Sequence, residues 1–219
     1  MAKSYCFRLV NKEFYDQLDE YPEPEMKRQP LEKMVLDVKR LKKDSAPKAI
    51  LGLALSPPKL DDIEITILRL KEAGAISVYK NGEFCATDGD LTWAGELMAN
   101  LPVEITLAKL VLFGFVFGKL REAVIIAAAL SERSIFRRGY HSEYEFYRCK
   151  FVWSQGKFCD FNTLINVYNW WQMKKNLRNG AKLAEDNNLQ VAALYRVKFF
   201  VFVAVVSFSR GFCLIKTGY

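Results

Sequence analysis

The chain has 219 residues, of which 51% are hydrophobic, 14% aromatic and 26% charged. This composition supports a sizeable buried core and excludes disorder over most of the length. Its net charge of +7 is uneven: residues 1–100 carry 15 Lys/Arg and 17 Asp/Glu, whereas residues 101–219 carry 17 and 8. A basic second half points to a polyanionic partner, RNA or an acidic membrane surface. The five cysteines are scattered without a CxxC pair and His141 is the single histidine, a pattern that argues against a zinc site. No apolar signal follows Met1, so the expected compartment is reducing and intracellular.

In chain order, Ser4–Val10 is short, aromatic and β-prone, and predicts a strand. An acidic, proline-containing linker follows from Asp19 to Pro24. Leu31, Met34, Val35, Val38 and Leu41 recur at helical spacing behind Pro30. Ser45 is placed to cap a second helix with Pro47 in its first turn, ending before Pro57-Pro58. Asp61 and Glu64 have the spacing of a capping box, opening a third helix whose stripe is Ile63, Ile67 and Leu70 and whose stop is Gly74. Asn81-Gly82, between Ile76–Tyr79 and Phe84–Ala86, is a hairpin turn signal. Three helices followed by a hairpin are the elements of a winged helix.

Thr92 is placed to cap the next helix, which closes near Pro102. Leu107–Phe117 and Leu120–Leu130 predict two packed core helices, each too short and too interrupted by charge to cross a bilayer. Phe161, Leu164, Ile165, Tyr168 and Trp171 follow a helical period, so the second half predicts a small helical bundle. Phe199–Val206 is an unbroken, β-prone apolar run of eight residues, against about twenty needed to span a membrane.

Chemistry-bearing motifs are absent from the sequence. It contains neither a GxxxxGK[ST] loop nor a DExH or DEAD tetrapeptide, and His141 has no companion nucleophile. Asp61-Asp62 and Glu185-Asp186 read as helix-start or surface charges. No catalytic residue and no metal ligand is assigned.

The residues themselves are more specific. Pro47-Lys48-Ala49-Ile50 through Ala54-Leu55-Ser56-Pro57-Pro58, then Ile63, Leu68 and Leu70-Lys71-Glu72-Ala73-Gly74-Ala75, resemble the winged helix of DEAH/RHA-type ATP-dependent RNA helicases. Asp90-Leu91-Thr92, Gly95, Leu97-Met98-Ala99 and Leu101-Pro102-Val103 resemble that family's next junction. Lys109-Leu110, Gly114 and Ala123–Ser131 are similar to the start of its ratchet, or helicase-associated, domain. Tyr5–Leu9 resembles the closing strand of the second RecA-like domain. Asp160, Thr163-Leu164, Asn166, Tyr168 and Trp171 resemble a ratchet segment, with Phe161 standing where the family has histidine. Asn188–Gln190 and Arg196-Val197 resemble the closing helix. The junction and the divergent ratchet look most like the Spindle-E type.

The resemblance implies a mainly α fold with a small β-hairpin: a strand remnant at 1–18, a winged helix at 19–101, a helical-bundle ratchet at 102–198 and a non-family apolar tail at 199–219. It implies an accessory region supporting the grip on single-stranded RNA by a motor that this chain lacks, with ATP and magnesium belonging to that motor. The partners implied are single-stranded RNA and the RecA-like core domains, with no membrane, in the cytoplasm or perinuclear germ granules. Candidate RNA contacts are Arg133, Arg137, Arg138, Lys174, Lys175 and Arg178, with Trp153, Trp170 and Trp171 as candidate base-stacking groups. The alternative is a free-standing winged-helix interaction or nucleic-acid-binding protein.

Overall fold

A computed structural model describes residues 7–43, 45–137 and 143–216, with backbone alone at 145 and 209–216. The fold is mainly helical with one small antiparallel hairpin. The first elements are α1 (Lys12–Asp16), capped by Asn11, whose side chain accepts from the Phe14 amide at 2.8 Å, and α2 (Glu25–Arg28). Of the β-prone opening, Phe7–Val10 are described and pair with no strand, while Ser4, Tyr5 and Cys6 lie outside the described residues.

Helix α3 (Leu31–Leu41) begins directly after Pro30 and buries Val35, Leu36 and Lys39. Helix α4 (Pro47–Leu51) is capped one residue later than expected: Ala46 rather than Ser45 is the N-cap, and Pro47 fills the first helical position, where a missing N–H costs nothing. Helix α5 (Leu60–Glu72) also departs from expectation. Lys59 is its N-cap with no side-chain bond, so Asp61 lies inside the helix and the predicted capping box does not form; the Glu64 carboxylate instead meets the Lys48 ammonium at 2.5 Å. Asp61 and Asp62 remain in the first turn, where they favour the positive helix end.

Strands β1 (Tyr79–Lys80) and β2 (Glu83–Phe84) flank Asn81-Gly82, with φ of 51° and 87° at the two turn residues. These left-handed values are those a tight two-residue hairpin requires. The hairpin is followed by Leu91, which bridges to Ile76, and by α6 (Trp93–Asn100). Thr92 caps it as predicted, accepting from the Gly95 amide at 2.9 Å.

Helices α7 (Ile105–Val116) and α8 (Leu120–Ser131) pack closely because Gly114 faces Ala123. A Cβ built on Gly114 lies 2.2 Å from the Ala123 methyl carbon, so the seam admits only glycine there. Next come α9 (Glu143–Ser154), α10 (Asp160–Lys174), α11 (Gly180–Asp186) and α12 (Val191–Lys216). A bridge between Phe136 and Leu189 ties the segment after α8 to the start of α12. One continuous core runs from Val35 and Ile67 through Met98, Val111 and Ile125 to Trp171 and Val197.

The predicted β-prone run at 199–206 is helical. It carries no Gly or Pro, and the helix entered at Val191 continues through it for 26 residues. Packing decides this against β-propensity: Val197, Phe200, Ala204 and Phe208 form a buried stripe at helical spacing. The window Val191–Phe208 is long and apolar enough to cross a bilayer by length and composition.

Candidate nucleic-acid interface

Several cations of the first half are engaged inside the fold, around the hairpin. Lys39 is fully buried, with its ammonium 2.5 Å from Asp88 Oδ1; Lys80 donates to Asp88 Oδ2 at 2.6 Å. Burial pushes the Asp88 carboxyl upward, but hydrogen bonds from Lys39 and Lys80 outweigh it and hold the group below the ordinary carboxylate range. The Lys71 ammonium donates to the carbonyls of Cys85 and Ala86, the latter at 2.9 Å. Arg69 lies 3.6 Å from Glu32. Together these groups latch the hairpin to α3 and α5.

The second half is different. Arg133 follows α8, is exposed and makes no ion pair among the described residues. Arg137 is exposed with its guanidinium 3.8 Å from Glu185, while its backbone amide donates to the Asn188 carbonyl at 2.7 Å. That bond and the Gln190-to-Ile135 bond at 2.9 Å hold the Arg137 segment against the start of α12. Arg138, like His141, lies outside the described residues.

Lys174 ends α10, Lys175 caps it, and Arg178 is exposed in the turn beyond. None of the three has an ion pair among the described residues. The Lys175 ammonium donates to Gln172 Oε1 and lies 5.5 Å from the Trp171 ring centroid. Burial, and then the neighbouring positive charge of Lys198, lower its affinity for a proton. Lys198 escaped the sequence analysis because it lies 23 positions away on α12 and only helix packing brings it to Lys175. Arg121 was also missed; it donates to Asn169 of α10 at 2.7 Å.

The tryptophans divide by burial. Trp171 is a core residue, packed edge-on against Tyr195 at 5.0 Å. Trp153 and Trp170 meet each other edge-on at 5.2 Å and are half-buried. Trp171 is therefore closed to base stacking, and the other two offer edges more than faces. The arrangement offers anions several separate cations and carries no metal-binding cluster among the described residues.

No family model matches the chain. An ATP-dependent RNA helicase TDRD9 from Danio rerio is 41% identical over 172 residues, covering 78% of this chain and 13% of the relative. A probable ATP-dependent RNA helicase spindle-E from Anopheles gambiae is 42% identical over 167 residues, 76% of this chain and 11% of the relative. The Homo sapiens TDRD9 is 42% identical over 174 residues, 78% of this chain and 12% of the relative. The chain thus spans about an eighth of the length of the curated relatives it matches. Over most of its length the chain is homologous to one region of the Spindle-E and TDRD9 ATP-dependent RNA helicases, and its sequence is Spindle-E-like.

Proposed function

We propose that this chain is the accessory C-terminal region of a DEAH-type RNA helicase, in which residues 19–101 are the winged helix and residues 102–198 the ratchet. In this reading single-stranded RNA lies along the basic second half, and a pair of RecA-like domains outside the chain binds ATP and magnesium and supplies the movement. The cytoplasm, including perinuclear germ granules, is its setting. The observation that carries the reading is the group of second-half cations left without an acid. Arg133, Lys174 and Arg178 have no acidic partner among the described residues, and Lys175 shares its surroundings with another lysine.

Such groups suit a strand held by its phosphates without reading of its bases. Arg137 contributes more weakly because Glu185 competes for it. The winged helix has a structural role in this account, since its hairpin lysines are engaged internally. A free-standing DNA-binding winged helix would need a basic recognition helix, whereas α5 mixes Asp61, Asp62 and Glu64 with Arg69 and Lys71.

The test is single-stranded RNA binding by the full chain across a salt series. Binding that weakens steeply with salt, and whose salt slope falls by about one for each phosphate contact removed in Lys174→Ala or Arg178→Ala, is the expected result. Absence of binding at low salt would overturn it.

A further inference from the structure

We propose that the outer face of α12 binds the surface of a membrane rich in anionic phospholipid, laying Phe199 and Phe202 into its headgroup region. The helix is apolar on two sides. Its inner stripe of Ala193, Val197, Phe200, Ala204 and Phe208 is buried against the bundle. Its outer side exposes Phe199 by 68% and Phe202 by 66%, with Tyr195 one turn before them at 51%. These positions repeat at helical spacing, so the aromatic rings form one stripe. The end of α7 meets the same helix, with Phe115 against Phe208 at 5.5 Å, and exposes Phe117 by 75%.

Charge chooses the occupant. From Val191 to Lys216 the helix contains no Asp or Glu, and its cations are Arg196 and Lys198 near one end and Arg210 and Lys216 near the other. Glu132 engages Arg196, whereas Lys198 is exposed and has no ion pair among the described residues. A second copy docked on this face would bring cationic flanks together with no acid on either helix, which is unfavourable. Anionic headgroups supply the missing charge and the interface accepts the rings.

Geometry favours lying on the surface over crossing it. Val191–Phe208 is long enough to cross by length and composition, but it carries Arg196 and Lys198, and the uncharged run 199–209 is only about 16 Å long at 1.5 Å per residue, roughly half of the ~30 Å hydrocarbon core. The inner stripe is also committed to the bundle, and a crossing would strip it away.

The test is co-sedimentation of the full chain with vesicles of equal parts phosphatidylcholine and phosphatidylserine, against phosphatidylcholine alone. The expected result is salt-sensitive pelleting with the anionic vesicles only. Phe199→Ser with Phe202→Ser should weaken it about tenfold or more, whereas Phe199→Leu with Phe202→Leu should retain it and RNA binding should be unaffected by either pair. Phe202→Trp provides a readout that needs no disruptive change: brominated lipid should quench its emission beyond that of the parent chain. No pelleting at low salt, wild-type pelleting by the serine pair, no added quenching in Phe202→Trp, or a dimer in solution that the serine pair dissociates would each overturn the proposal.

Discussion

Residues 1–100 and residues 101–219 hold similar numbers of cations, 15 and 17, but place them in different electrical circumstances. In the first region Lys39, Lys48, Arg69, Lys71 and Lys80 each reach a carboxylate or a carbonyl of the fold. In the second, acids are scarcer: Arg137, Lys150 and Arg196 meet one each, while Arg133, Lys174, Lys175 and Arg178 have no ion pair among the described residues. Net charge per region hints at this, but the pairing shows what the charges do. A cation satisfied within the fold stabilises a hairpin; one left open is free to exchange small ions for a phosphate.

The largest effect that would test this comparison lies at Asp88. Asp88→Asn leaves Lys39 buried without its counter-charge and is expected to cost about 3–5 kcal/mol, measured by urea unfolding. A loss no greater than that of an exposed ion pair would show that the latch does not hold the first region together. Because the folded Asp88 binds its proton less readily than an unfolded aspartate, its contribution is present above the unfolded value. It should disappear as pH falls through the lower folded value. An acid titration of the wild type beside Asp88→Asn isolates this component.

Next in size is the seam of the second region. Gly114→Ala places a methyl against Ala123, where the built carbon lies at 2.2 Å, and should destabilise by about 1–3 kcal/mol. Thermal melting checks it, and an unchanged midpoint would mean that α7 and α8 separate more easily than their packing suggests.

Smaller effects concern RNA. Arg133→Ala should weaken binding at every RNA sequence alike and lower the salt slope by about one, as read by fluorescence anisotropy. Arg137→Ala should do less, since Glu185 already offsets part of its charge. Glu132→Gln should act in the opposite direction. It releases Arg196, now held by three hydrogen bonds of 2.7–2.9 Å, and should tighten RNA binding slightly at low salt. Weaker binding by this variant would remove the link between unpaired cations and affinity.

Much of the architecture is legible in local chemistry. Pro30 before α3, Thr92 before α6, Gly74 after α5 and Asn81-Gly82 in the hairpin each act through their own backbone or a neighbour within a few residues. The caps of α4 and α5 differ from expectation because each helix starts at a different residue: Ala46 rather than Ser45 caps α4, and Lys59 caps α5, two positions before Asp61. The site was less legible. Arg133, Lys174, Lys175 and Arg178 could be marked as cations, but not as unpaired ones. Pairing depends on which acids packing brings near, as Glu185 is brought to Arg137 and Glu132 to Arg196.

The sequence by itself determined the helical character, the hairpin, the basic second half and the likeness to a helicase segment, because each resides in residue type and short-range order. Tertiary structure decided that Phe199–Val206 continues a helix, since only packing supplied the buried stripe of Phe200 and Ala204 that overrides its β-propensity. It also decided which lysines are latches and which remain open. Electrostatic pairing acts over a few ångströms in space, and the chain separation between Lys39 and Asp88, or Lys175 and Lys198, carries no record of that distance.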